Sequence, residues 1–181
     1  LFLLKGRDPL APLQWGAFDS SGLLNRETDS YLVGGENGLV YLLKLNTLFN
    51  REERTIEIEP QVVRYRYKAR STSHLGVENS LAVTRNLAFF ADNGGTIQAL
   101  DLRTMKPVWM FAAGDDTDAS LVLSMEDGAP KLYTGNELDH RGPTRGQVQV
   151  RKLDALTGQE LWRKDYRCEG MEEPRHEPGV F

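Results

Sequence analysis

The sequence predicts an all-β fold, a β-propeller of four-stranded antiparallel blades with about three blades present in 181 residues. Three observations predict it. "IQALDLRTMKPVW", residues 97 to 109, returns as "VRKLDALTGQELW", residues 150 to 162, so that Leu100, Asp101, Thr104 and Trp109 meet counterparts in Leu153, Asp154, Thr157 and Trp162, each 53 positions later. A third copy, "GLVYLLKLNT", ends at Thr47, 57 residues before Thr104. No window sustains apolar residues at i, i+3, i+4 and i+7 between helix caps, so helices are at most incidental. Four strands recurring at roughly 40 to 50 residues is the period of a propeller blade, and these repeats run slightly long.

The elements follow in order. The first unit, about residues 14 to 70, holds "SYLVGGENG", an apolar run closed by a turn cluster, then "GLVYLLKLNT". Apolar runs bounded by Gly, Asn and Asp are strand and hairpin signals. The Trp expected five positions after Thr47 is Glu52, so "LFNREERTIEIEP" reads as an inserted charged hairpin or lengthened loop, with "VVRYRYKA" as the outer strand. In that strand Arg64, Arg66 and Lys68 alternate with Tyr65 and Tyr67, which puts the cations on one face. A solvated sheet face accounts for them.

The second unit, about 78 to 114, runs "SLAVTRN", "LAFFADNGG", "GTIQALDLRT", "KPVWMFAAG". The third, about 118 to 168, runs "ASLVLSMED", "KLYTGNELDHRGPTRG", "VQVRKLDALT", "QELWRKDY". "EPGVF" reads as the inner strand of a further blade, about 176 to 181, and with no Met at position 1 the expectation is a piece of a longer propeller.

One blade cannot bury both faces, so the same contact residues must recur once per blade. Trp109 and Trp162 are expected to fill the space between blades. Asp101, Asp154, Thr104 and Thr157 are expected to fix the turn joining third and fourth strands through side-chain hydrogen bonds.

A net charge of −4 gives no basis for a nucleic-acid partner, which needs a basic surface. The single cysteine, Cys168, rules out an internal disulfide scaffold. "LFLLKGRDPLAPL" is too short and too quickly interrupted to span a bilayer, so no transmembrane segment is read.

"KLDALTGQELW" closely resembles the tryptophan-docking repeat of the quinoprotein dehydrogenase-like, or PQQ-like, β-propellers, whose units read roughly A-x-D-x-x-T-G-x-x-x-W. The second copy has Met105 where the motif, and Gly158 in the third copy, has Gly; the first has Lys44 at the Asp position. The resemblance covers about residues 30 to 170. It implies the fold and an extracytoplasmic setting, periplasmic, cell-surface or secreted. The family holds both PQQ-dependent alcohol and sugar dehydrogenases and non-enzymatic scaffolds, so activity stays open.

In a propeller the loops joining strands two and three share one face with the loops joining blades. That face is expected to collect Glu36 and Asn37; Glu78 and Asn79; Asp92 and Asn93; Asp115, Asp116 and Asp118; and Asn136, Glu137 and Asp139. Lys106, Arg85, Arg103 and Lys131 fall on the opposite face. Carboxylates and amides together suit a hard cation such as calcium, which takes six to eight oxygens, or a polar or cationic ligand. The metal-ligand candidates are Asp116, Asp118, Asn136 and Glu137, although "GDDTDAS" lacks the spacing of a known calcium loop and Asp and Asn also serve ordinary turns. His140 stands beside Glu137 and Asp139 in the longest hairpin loop, while His74 and His176 are isolated.

There is no phosphate-cradling loop, nucleophile elbow, HExxH or zinc pattern, and catalytic residues are left unassigned. The leading expectation is a non-enzymatic binding or scaffold module whose acidic face meets a protein partner, a polysaccharide or a cation. The alternative is part of a PQQ- and calcium-dependent quinoprotein dehydrogenase, although the adjacent cysteine pair that many such enzymes carry is absent from the sequence.

Overall fold

The computed structural model describes residues 2–66, 74–138 and 147–167. The expected start of a further blade at 176 to 181 lies outside them, as do Tyr67, Lys68, Asp139, His140, Cys168 and His176. Among the described residues, fourteen strands form three four-stranded antiparallel sheets and one small hairpin. The first sheet is β1 (Leu23–Asn25), β2 (Ser30–Gly35), β3 (Leu39–Lys44) and β6 (Gln61–Arg66). Between β3 and β6 the inserted residues fold back as a separate hairpin, β4 (Leu48–Asn50) with β5 (Thr55–Glu57). The second sheet is β7 (Ala82–Thr84), β8 (Leu87–Ala91), β9 (Thr96–Asp101) and β10 (Lys106–Ala112). The third is β11 (Val122–Glu126), β12 (Ala129–Gly135), β13 (Gln147–Asp154) and β14 (Glu160–Arg167). Among the described residues no helix is long and apolar enough to cross a membrane.

The cores lie between sheets. Phe89 and Phe90 are adjacent in β8, point to opposite faces, and are both fully buried. Phe90 joins Leu32, Leu42 and Tyr65 of the first sheet, while Phe89 joins Ala113, Leu132 and Leu153 toward the third. The other face of the first sheet packs Val33, Tyr41 and Leu43 against Ala11 and Leu4 of the leading segment. A polar contact repeats across both junctions: Tyr65 of β6 donates its hydroxyl to Gln98 of β9, and at the equivalent place Phe111 of β10 lies under the guanidinium of the fully buried Arg151 of β13.

The repeat residues act as their spacing implies. Asp101 Oδ1 accepts the amides of Arg103 and Thr104 at 2.8 and 3.3 Å, and Asp154 Oδ1 those of Leu156 and Thr157 at 3.0 and 3.1 Å. Trp109 spans the second junction: its indole Nε1 donates to Ala155 O at 3.0 Å, and its ring lies 5.9 Å from that of Phe89.

One expectation needs correction, and another falls outside what is described: Trp162 packs on Tyr133 of its own sheet, and the further blade it is expected to meet lies beyond the described residues. The docking place in the first blade belongs not to Glu52 but to Val63. Trp109 pairs with Ala99, Trp162 with Lys152 and Val63 with Leu42, residues at the same step before Thr104, Thr157 and Thr47. The inserted hairpin displaces the fourth strand along the chain, and the sheet register recovers what the sequence interval loses.

Candidate functional site

The turn joining second and third strands in each sheet is tied to the connector that enters the first strand. Glu36 N donates to Ala17 O at 3.2 Å, Asn93 N to Gly76 O at 3.0 Å, and Glu137 N to Asp116 O at 2.9 Å. Two residues beyond each of these carbonyls stands an acid, Asp19, Glu78 or Asp118, and each of them is four residues ahead of its inner strand. The rim therefore repeats a pair per blade: Asp19 with Glu36, Glu78 with Asn93, Asp118 with Glu137.

The next connector residue anchors the pair. Ser20 Oγ both donates to Gly34 O at 2.9 Å and accepts from Gly34 N at 3.2 Å. Asn79 holds the equivalent Ala91, its Nδ2 donating to Ala91 O at 2.7 Å and its Oδ1 accepting from Ala91 N at 3.2 Å. The same Nδ2 donates to Thr117 O at 3.0 Å, which joins the connectors of two successive blades. Backbone groups that would otherwise stay unpaired beyond the ladder are satisfied by these side chains.

Two groups of three carboxylates result. Asp19, Glu36 and Glu78 cross from the first blade to the second, and Asp116, Asp118 and Glu137 lie in the third; within each group an oxygen from every residue falls within 4.8 Å of the others. Burial, a hydrogen bond to Asp19 and the charge of Glu78 push the Glu36 carboxyl up to about 7, against the opposing effect of a hydrogen bond from Trp15. In the second blade Asn93 replaces the turn carboxylate and donates its Nδ2 to Glu78. Oxygen-only donor sets of this kind fit a hard cation, whose remaining positions would fall to water or to a ligand.

Three of the four metal-ligand candidates, Asp116, Asp118 and Glu137, come together. Asn136 does not join them, because Oδ1 accepts Gln149 N at 2.8 Å and Nδ2 donates to Glu137 O at 3.0 Å. Asp92 is likewise a turn residue: fully buried, it accepts the amides of Gly94 and Thr96 at 3.1 and 2.7 Å, and burial pushes its carboxyl up to about 6. Asp115 caps the amide of Asp116 at 2.9 Å, and Asn37 holds Gly6 O and the Tyr41 hydroxyl. His74 lines a shallow recess with Trp15 and Glu36. Asp19 is the rim residue that sequence reasoning passed over; the signal was its place four residues before a three-residue strand too weak to be noticed.

No protein-family model matches the sequence, and no curated protein is similar to it. Similarity appears among solved structures. BamB from Moraxella catarrhalis is 16% identical over 80% of this chain and 37% of its own, with a TM-score of 0.50. A europium-containing methanol dehydrogenase is 17% identical over 87% of this chain and 29% of its own, with a TM-score of 0.54. The WD40 β-propeller domain of Doa1 is 10% identical over 83% of this chain and 41% of its own, with a TM-score of 0.55. The fold is that of the β-propellers, including the PQQ-like kind, and the chain spans 29 to 41% of the length of these structures. At such identities the likeness concerns fold alone, and the fold is shared by an enzyme and by other propellers.

Proposed function

We propose that this chain is a binding module, part of an extracytoplasmic propeller in which the acidic rim takes a hard cation such as calcium and through it an oxygen-bearing group of a protein or polysaccharide partner. The observation that carries this reading is the recurrence of Asp19, Glu78 and Asp118 at one position in three blades. Three carboxylates supply only part of a calcium shell, so a bound ion keeps positions open for a partner's oxygens. Without a cation, the crowded carboxylates of the first group relieve their repulsion by retaining a proton on Glu36.

The dehydrogenase alternative finds less support. Pyrroloquinoline quinone is itself a tricarboxylate, so the carboxylates of both rim groups would meet it only through a bound cation, and nothing in them distinguishes it from other oxygen-bearing ligands. The extracytoplasmic setting rests on the resemblance of the repeat.

Terbium tests the cation reading, because an ion held by Asp19, Glu36 and Glu78 would sit beside Trp15 and take up its excitation energy. Luminescence on exciting tryptophan, displaced by calcium and lost in Glu36→Gln, is the expected result. Luminescence unchanged by Glu36→Gln, or absent altogether, contradicts it.

A further inference from the structure

We propose that the inserted β4–β5 hairpin is a docking arm whose β5 edge takes up an extended segment of a partner protein with alternating apolar and basic residues. The arm joins the third and fourth strands of the first blade, at the end away from the acidic rim. In the other two blades a tight turn makes the same connection. Every residue from 46 to 59 is exposed, and the run includes four large apolar side chains, Leu48, Phe49, Ile56 and Ile58. Apolar side chains gathered on a projecting element mark a surface that another chain covers.

The arm is held at both ends. At its tip Asn50 Oδ1 accepts the amides of Glu52 and Glu53 at 3.0 and 3.2 Å, and Arg54 turns the chain with a φ of 53°. At its base Glu59 N donates to Leu45 O at 3.0 Å, and Asn46 Nδ2 donates to Glu59 O at 2.9 Å. Two strands alone are marginal in water, and a third strand with an apolar face completes the sheet.

The register sorts the side chains. Phe49 pairs with Ile56 and Leu48 with Glu57, and paired residues share a face. Ile58 continues the face of Ile56, and Glu59 that of Glu57. Among the described residues β5 pairs with β4 alone, so its outer edge offers backbone donors and acceptors to an incoming strand.

These features define the occupant. A strand that sets apolar residues against Ile56 and Ile58 must set every second residue against Glu57 and Glu59. Among the described residues no ion pair engages either carboxylate, so Lys or Arg belongs there. The arm as a whole is acidic, with Glu52, Glu53, Glu57 and Glu59 against Arg51 and Arg54. A second copy of the chain is disfavoured by the same residues. Antiparallel pairing centred on Ile56, Glu57 or Ile58 opposes Glu53 to Glu59, Glu57 to Glu57, or Glu57 to Glu59, and like charges directly opposite destabilise a sheet.

The probe is the acetylated and amidated peptide Lys-Val-Lys-Val-Lys-Val-Lys, followed through the backbone amide signals of the 181-residue chain. Saturable shifts in the arm are expected, with slowed hydrogen exchange between Thr55 and Ile58. Glu57→Lys, Glu59→Lys, a change confined to exposed side chains, should weaken the peptide about tenfold and transfer the preference to Glu-Val-Glu-Val-Glu-Val-Glu. Methylating all backbone nitrogens of the peptide should abolish the arm shifts. The proposal is overturned by shifts at the rim amides of Asn93 and Glu137 in place of the arm, or by no shifts at all. Binding that survives the charge reversal or the methylation overturns it too, as do arm signals that move with protein concentration in the absence of peptide.

Discussion

Trp109 and Gly158 are 49 residues apart in sequence and in contact in space: the ring of one covers the bare Cα of the other, where a Cβ would approach Trp109 Cδ2 to 2.6 Å. Gly158 also has a φ of 73°, a left-handed conformation that side chains resist. Two requirements therefore meet at one glycine. Gly158→Ala is expected to cost about 2 to 4 kcal/mol, from left-handed strain and overpacking together, measured by urea unfolding.

Trp109→Ala should cost about 2 to 4 kcal/mol, since it removes a half-buried ring packed on the junction core and leaves Ala155 O without its donor. Trp162→Ala should cost about 1 kcal/mol, because among the described residues that ring is 43% exposed and packs mainly on Tyr133. Equal losses for the two would contradict the assignment of Trp109 as the docked member.

Asn79 makes three buried hydrogen bonds to Ala91 and Thr117. Asn79→Ala should destabilise by about 2 to 3 kcal/mol and speed hydrogen exchange of the Ala91 amide. Unchanged exchange there would show that the anchor is dispensable.

Glu36 binds its proton more tightly folded than unfolded, so its contribution to stability is present below about pH 4.5 and is lost as the pH rises through about 7. Glu36→Gln should remove this loss, on the order of 1–2 kcal/mol after screening, and flatten the unfolding midpoint between pH 5 and 8. A cation must displace the same proton, so calcium affinity should weaken as the pH falls below 7.

Strand order was legible because apolar runs alternate with Gly, Asn and Asp clusters at a fixed interval, and the two Asp-x-x-Thr turns are local enough to read directly. What was not legible depends on three dimensions. Val63 replaces the expected Trp position only through its pairing with Leu42 across an inserted hairpin. Asn136 and Glu137 are neighbours, yet one serves the backbone of Gln149 and the other the carboxylate group, a division no spacing rule contains. Asp19 precedes a strand of three residues whose pattern is too short to mark it. Trp162 holds the same place in its repeat as Trp109, five residues after the Thr, and that place alone does not say what packs against it.

The central claim is that acids repeated once per blade form a cation-binding rim, and calcium calorimetry on the wild-type chain and on Asp19→Asn, Glu78→Gln, Asp118→Asn at pH 8 tests it most directly. The account predicts saturable binding with a Kd of about 10⁻⁴ to 10⁻³ M, abolished in the triple variant while its unfolding midpoint is kept or raised. Binding that survives in the triple variant, or no calcium heat in the wild type, would contradict it.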